Sequence, residues 1–417
     1  MMLTKTKRDV VLWHFLCIVL GVGLFETFQL HERIVVLDPL QHTAEQALTM
    51  RILDSTNTTD QQRQRSDQKD SCAINFFGLP RAFESLVLPS IIKNIIAVNP
   101  GCDYFVHFYD MTKEAKGRSG AGGMIDPTAV FLLRDAVHYE ATRQGNDDAL
   151  PIVEFVSDKE EDFWSKHSEL IERIRTTRVD GKYLYFPWKA KSYTFETTNN
   201  IVKMWHTIQS SYELMERVAA SKGIEYNIVG MFRLDVLYVT PINIRDTTKL
   251  NHPDNDMVPA TITNFANYPV SDRMIYGPRA AVQVWATQRF SRLESHVKFM
   301  QKNEPGWGMH SERFVNDTLF PLIRNITTIR QHPTICFFRA RADETVWVND
   351  CSNKNSKIAA PSIMKDLLKG NRTLHDVVQD AIGRPCSVVN PIQFSKFVLV
   401  LPCPEKIKMN VSILRYY

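Results

Sequence analysis

The 417-residue chain has no excess of either charge: 50 lysines and arginines stand against 46 aspartates and glutamates, a formal net charge of +4. No basic block is dense enough to form the stripe that follows a nucleic-acid backbone, so charge argues against a nucleic-acid partner. There is no internal repeat, and no CxxC pair or cysteine–histidine spacing that suggests zinc. The glycine-rich "KGRSGAGG" (Lys116 to Gly123) lacks the Lys-Ser/Thr ending of a Walker loop and reads as a flexible loop. With 44% hydrophobic and 23% charged residues, the chain can nevertheless bury a large core. Its length allows two or three domains, or one large α/β domain with extensions.

Charge is also missing from "VVLWHFLCIVLGVGLF" (Val10 to Phe25), sixteen residues with His14 taken as neutral, preceded by "KTKRD". As a helix it rises about 24 Å, a little short of a ~30 Å hydrocarbon core, and Thr27 and Phe28 can extend it. Lys5, Lys7 and Arg8 precede the run and no such cluster follows it, which puts the N-terminus in the cytosol and the rest in the lumen. This pattern predicts a type II signal anchor over 10–28 that holds the protein to the membrane. A cleaved signal peptide is the other reading, although no small-x-small site follows Phe25. Either way the body is expected in the secretory pathway. Sequons at Asn57, Asn316, Asn325, Asn371 and Asn410 agree with a lumenal body.

Six of the seven cysteines follow the anchor, an even number in an oxidising compartment, and three disulfides are expected. Among the fifteen possible pairings, Cys336 with Cys351 and Cys386 with Cys403 are favoured because they close local loops. Residues 29–71, with "STNTTDQQRQRSDQKDS", have no apolar period and read as an exposed stem. The expected organisation is a cytosolic tail over 1–9, the anchor, the stem, a folded domain over 72–350 and an extension over 351–417 whose pattern is weak.

From Cys72 onward, strands and helices alternate. "CAINFF", "CDYFVHFYD" and "PIVEFV" read as strands. The stretch after "GLPR" and "DPTAVFLLRDAVHYEATR" read as helices, the latter with Asp126 as N-cap and Pro127 in its first turn. Helices are also predicted over Asp158 to Arg175, Thr197 to Gly223, Arg279 to Gln301 and His310 to Ile323, with "DMVPATI" and "DRMIYGP" as later strands. This alternation predicts an α/β fold with a mostly parallel central sheet flanked by helices, Rossmann-like in class.

"YNIVGMFRLDVLYVTPINI" (Tyr226 to Ile244) is read as its central strand, and it carries Arg233 and Asp235 inside an apolar run. With period two they share one face, at the carboxyl edge where open sheets bind ligands. An ionised aspartate there needs a cation or donors. A divalent metal with a sugar nucleotide is one such partner, since Mg²⁺ and Mn²⁺ take carboxylate and phosphate oxygens.

"FRLDVLYVTPINI", followed by "SDRMIYGPRAAV" and "GMHSERFV", resembles glycosyltransferases of the GT-A type, over about residues 72 to 340 in order of elements. The resemblance implies a lumenal enzyme that transfers a sugar from a nucleotide-diphosphate donor to a glycan or glycoconjugate acceptor, typically as a Golgi membrane protein, with the endoplasmic reticulum as the alternative. Asp235 matches the last carboxylate of the family's metal-binding Asp-x-Asp motif, while Arg233 replaces the first. Asp235 is therefore the implied ligand for Mn²⁺ or Mg²⁺, and Arg233 an alternative contact to the diphosphate. "FFGLPR" resembles the first-strand loop that holds the nucleotide, which implies donor contacts for Gly78 and Arg81. Asp272, with Arg273 beside it, matches an acidic position near the sugars. Glu312, near His310, matches the helical base or acceptor-orienting residue.

Plainer readings stand beside these. Arg233 and Asp235 also fit a strand-end ion pair, Asp272 a turn residue, Glu312 a solvated helix residue, Arg81 a local pairing and Trp307 a core side chain. A Golgi sulfotransferase is a rival enzyme class, although "FFGLPRAFES" offers only Arg81 and Ser85 to a phosphosulfate loop. A non-catalytic lumenal protein that binds sugar nucleotides or glycans is the other rival, supported by the replaced carboxylate.

Overall fold

The computed structural model describes residues 71–115, 122–146, 149–246, 257–264, 269–347, 371–372, 374–383 and 398–400. The proposed anchor, the stem up to Asp70 and most of the C-terminal extension lie outside the described residues. Among the described residues no helix is long and apolar enough to cross a membrane.

In chain order the strands are β1 (Cys72–Gly78), β2 (Asp103–Tyr109), the short pair β3 (Lys113–Glu114) and β4 (Gly123–Met124), and β5 (Val153–Asp158). The short pair β6 (Arg178–Val179) and β7 (Lys182–Tyr183) follows, then β8 (Ile228–Arg233), β9 (Val236–Tyr238), β10 (Ala260–Thr263) and β11 (Ile275–Pro278). The last are β12 (Ile329–His332), β13 (Phe337–Ala340), β14 (Thr345–Trp347) and β15 (Val398–Val400). Seven form the central sheet in the order β12-β10-β11-β8-β1-β2-β5. All neighbours in it pair in parallel except at β11, which runs against both β8 and β10. The sheet is thus mostly parallel, as the alternation of elements predicts.

Period two divides the side chains of β1 between two cores, one on each face of the sheet. Cys72, Ile74 and Phe76 join the core covered by the helical run 83–96 and the helix Leu132–Arg143. Ala73 and Phe77 join the core covered by the long helix Phe195–Lys222 and the helix Arg279–Thr287. A strand buried on both faces is mostly apolar, which is why "CAINFF" shows no polar alternation; its one polar side chain, Asn75, is buried and donates to Gly230 O at 3.4 Å. The long helix begins at a reciprocal cap between Thr194 and Thr197 and stops at Gly223, whose φ of 65° lies in the left-handed region.

Three sequence expectations change in detail. The run Tyr226 to Ile244 is not one strand: β8 ends at Arg233, and β9 leaves for a second sheet of order β15-β14-β13-β9. The break is held by hydrogen bonds. Leu234 N–H donates to Phe77 O at 3.0 Å and Ala340 N–H to Asp235 O at 2.8 Å, while the Tyr238 hydroxyl accepts from Arg233 N–H at 3.0 Å and donates to Arg233 O at 2.9 Å. The helix predicted over Asp158 to Arg175 divides at His167 into Glu160–Lys166 and Ser168–Thr176. The one over Arg279 to Gln301 divides at Gln288. From the weakly patterned extension, Val377, Val378, Ala381 and Ile382 enter the first core, and β15 pairs with β14.

Cys72 and Cys102 form a disulfide between the starts of adjacent strands, 30 residues apart. Cys336 is also disulfide-bonded, to a partner outside the described residues, where Cys351, Cys386 and Cys403 all lie. Closing a loop of this length restricts the unfolded chain by about 3–4 kcal/mol. Cys72→Ala with Cys102→Ala is expected to lower unfolding free energy by about that amount in denaturant titration, with the reduced wild type falling at least as far.

Candidate active site

Counted along the chain, the strand order reverses between β1 and β8: from β1 the sheet grows through β2 to β5, then resumes at β8 on the other side. Such switch points open a crevice outside the carboxyl ends of the strands, where open α/β sheets bind ligands. A cavity of about 1030 Å³ lies there, lined by the ends of β1, β2 and β8 and by the loops around them.

β1 ends in Gly78, at φ 114°, a backbone conformation that L side chains rarely adopt. The turn that follows brings Arg81 back over the sheet edge. Its guanidinium pairs with Glu114 Oε1 at 2.8 Å and, through Nη1, with Asp235 Oδ2. From the neighbouring strand, Arg233 grips the same carboxylate as a fork, Nε to Oδ1 and Nη2 to Oδ2, both at 2.7 Å. Asp235 is only 2% exposed. Burial alone would raise its carboxyl pKa, but Arg233 and Arg81 outweigh burial and hold it well below the usual carboxylate range.

Arg339, on β13, and Arg341, just beyond it, line the same cavity. Burial, with Arg339 and Arg81 nearby, pushes the Arg341 guanidinium down to about 9. Arg273 completes the basic wall. Beside Arg273, the buried Asp272 accepts a hydrogen bond from the Ser311 hydroxyl at 2.5 Å and lies 3.6 Å from Arg273 Nε. Burial would raise its carboxyl pKa, but Arg273 and Ser311, aided by Arg233 and Arg289, lower it. Arg289 is itself buried against the ring of Trp285 at 4.1 Å and is pushed down to about 9 by that burial, against the pull of Asp272.

Glu312 reaches the cavity from the first turn of the helical run 311–324. Its Oε2 is 3.4 Å from His310 Nδ1, and its Oε1 is 3.9 Å from Arg273 Nη2. His310 is flanked by two aromatic rings, stacked on Tyr193 at 5.0 Å and edge-on to Trp307 at 5.2 Å. Tyr193 and Trp307 both border the cavity as an aromatic wall, with the Arg313 guanidinium 4.1 Å over the Trp307 ring.

One cavity therefore brings together Gly78, Arg81, Arg233, Asp235, Asp272 and Glu312. They differ in what they can do there. Both oxygens of Asp235 already accept from guanidinium groups, and a further arginine bears on the same carboxylate. A Mn²⁺ or Mg²⁺ ion at that carboxylate would sit among cations of its own sign, so the residues present do not fit the expected metal. They fit an anion with several oxygens, which guanidinium forks recognise well. Asp272 is engaged by Ser311 and Arg273, and Glu312, which also lines the cavity, lies beside the His310 imidazole and Arg273.

Sequence reasoning did not find Arg339, Arg341, Glu114 or Tyr193. For the two arginines a signal existed: "FFRAR" repeats the period-two placement of Arg233 and Asp235, so both guanidinium groups leave one face of a strand end.

No family model matches the chain, and no curated protein matches it. Among solved structures, mouse xyloside xylosyltransferase 1 in its apo form shares 11% identity over 64% of this chain and 88% of that chain, with a TM-score of 0.27. So slight a likeness identifies neither a family nor an activity.

Proposed function

We propose that the chain is a glycosyltransferase that moves a sugar from a nucleoside-diphosphate donor to a hydroxyl of a glycan or glycoconjugate. The observation that carries this reading is the set of arginines, Arg81, Arg233, Arg273, Arg339 and Arg341, around a cavity at the switch point of a mostly parallel sheet. Sugar transfer breaks the bond between the anomeric carbon and the diphosphate, and the electron pair leaves on the diphosphate. Fixed positive charge where that negative charge grows is the largest help a protein can give such a step. Here guanidinium groups supply it in place of a metal, and no step is assigned to a divalent ion.

Glu312 takes the proton of the attacking hydroxyl as the new bond to the anomeric carbon forms, and His310 positions its carboxylate. Asp272, tied down by Ser311 and Arg273, orients the sugar hydroxyls or the basic wall rather than receiving the proton. The aromatic wall at Tyr193 and Trp307 places the sugar. The charge-free N-terminal run and the sequons support a lumenal setting on the Golgi membrane, with the body on the far side of a type II anchor.

Thermal unfolding of the full-length chain with UDP, GDP, CMP or 3′,5′-phosphoadenosine, each in EDTA and in Mn²⁺, tests the donor site. One nucleoside diphosphate is expected to stabilise the protein in EDTA, by about 2.7 kcal/mol at a hundred times its dissociation constant. A strict manganese requirement would return Asp235 to metal binding, a response to phosphoadenosine alone would favour sulfate transfer, and no response at all would remove the nucleotide site.

Glu312→Gln separates binding from chemistry. It is expected to keep the nucleotide-dependent shift and to lower transfer by about 10²–10⁴-fold.

Asp235→Ala leaves two guanidinium groups without their shared counter-ion and is expected to destabilise the fold by about 3 kcal/mol near neutral pH. The folded carboxyl is held low, so its contribution is complete above the unfolded value near pH 4 and disappears as acid reaches the lower folded value. The gap between variant and wild type should stay constant from about pH 5 to 8 and close only in stronger acid.

A further inference from the structure

Behind the part of the cavity wall formed by β2 and the long helix, three side chains converge that sugar transfer does not use. His107 comes from β2, Asp158 from the end of β5 and His206 from the long helix. Both histidines are buried and Asp158 is about one-third exposed, at 37%. One ligand atom from each lies within 4.8 Å of the others. His107 Nε2 is 2.9 Å and His206 Nε2 3.5 Å from the same oxygen, Asp158 Oδ2.

The other ring nitrogens carry the argument. His107 Nδ1 is 2.6 Å from the Thr207 hydroxyl, and His206 Nδ1 is 3.0 Å from the Tyr109 hydroxyl. Each hydroxyl has a backbone carbonyl for its own proton: Thr207 Oγ1 reaches His107 O at 3.1 Å and Tyr109 OH reaches Lys203 O at 3.4 Å. A hydroxyl that donates to a carbonyl offers its lone pair to the imidazole. This arrangement accommodates the tautomer with the proton on Nδ1, in which Nε2 is free to bind a cation. In that tautomer both Nε2 atoms and the Asp158 oxygen face one point as the ligands of a cation do, with the Ser210 hydroxyl 3.4 Å from His206 Nε2; in the other, His107 Nε2–H donates to Asp158 Oδ2 and no cation is needed. Metal-ligating histidines donate their other ring N–H to a carboxylate, a carbonyl or water, and an accepting hydroxyl can orient the ring in the same way.

We propose that His107, His206 and Asp158 form a binding site for a divalent ion of the zinc class, separate from the donor cavity. Two imidazoles and one carboxylate suit zinc better than magnesium or calcium, which prefer oxygen alone. The fourth position is left to water on the exposed side of Asp158. Lys166, whose charge also bears on Asp158, is an exposed side chain. The ion's role is to tie the edge strands β2 and β5 to the long helix. Through His107 it also fixes Thr207, whose Oγ1 accepts the Gly78 N–H at 3.2 Å, so the ion steadies the floor of the donor cavity.

The test uses the full-length chain, purified without chelator or polyhistidine tag, in zinc-free buffer with no nucleotide present. Titration with ZnCl₂, read by calorimetry and elemental analysis, is expected to show one zinc per chain and a rise in the thermal midpoint. X-ray absorption should show two imidazoles and an oxygen ligand. His206→Gln and Asp158→Asn each remove a ligand and are expected to weaken zinc by more than about 100-fold, beyond what loss of a supporting group does. His138→Gln, at a histidine 3.1 Å from Pro151 O on the helix Leu132–Arg143, should leave zinc binding unchanged. No bound zinc, or zinc held equally by both ligand variants, would overturn the site and leave a hydrogen-bonded network with the protons on Nε2. Because no nucleotide is involved, the outcome is independent of whether the cavity transfers a sugar.

Discussion

The buried carboxylate of Asp235 is the constraint on which the cavity depends. Arg81 follows β1 and Arg233 ends β8, the two strands that flank the switch point, and both guanidinium groups meet on this one side chain. Taking a carboxylate to 2% exposure is unfavourable by several kcal/mol unless opposite charge and hydrogen bonds offset it. Two arginines do so here, and in return the carboxylate fixes the direction of both. Without it they would repel each other and lean into solvent, and the carboxyl ends of β1 and β8 would present no defined charge.

Much of this was legible in the sequence because it depends on local rules. Strands buried on both faces are mostly apolar, so "CAINFF" and "CDYFVHFY" stand out as β1 and β2 despite the buried Asn75 and His107. Caps are local, so Gly223 announces the end of the long helix. A period-two charge pair in an apolar run marks a strand end, so Arg233 and Asp235 could be found without coordinates. What local pattern cannot show is where a chain changes sheets. Val236 to Tyr238 look like a continuation of β8, yet their pairing partner is β13, about a hundred residues later. That long-range pairing brings Arg339 and Arg341 to the site.

The same limit hid the cluster of His107, Asp158 and His206. Zinc sites legible in sequence have ligands at short spacing within one element, and no such spacing occurs here. These three come from two parallel strands and a helix, with successive members about fifty residues apart along the chain. Only the parallel register, in which His107 lies one strand away from Val156 and two residues short of the Tyr109–Asp158 pair, brings the imidazole and the carboxylate together.

Guanidinium groups and a metal ion neutralise a leaving diphosphate in different ways. A divalent ion must itself be bound, and its supply and the protonation of its ligands then condition the reaction. Arginines are built into the fold and remain charged across the physiological range, even Arg341 with its value near 9. Their drawback is mutual repulsion, visible in the pull of Arg339 and Arg81 on Arg341. One buried aspartate offsets part of that repulsion and Glu114 another part, through its pair with Arg81. In the proposed reaction a diphosphate in the cavity would relieve this repulsion, most of all once the bond to the sugar has broken and the charge on the phosphates is greatest. Under the proposed function, replacement of the expected first carboxylate by Arg233 is a change of the neutralising group rather than the loss of a function.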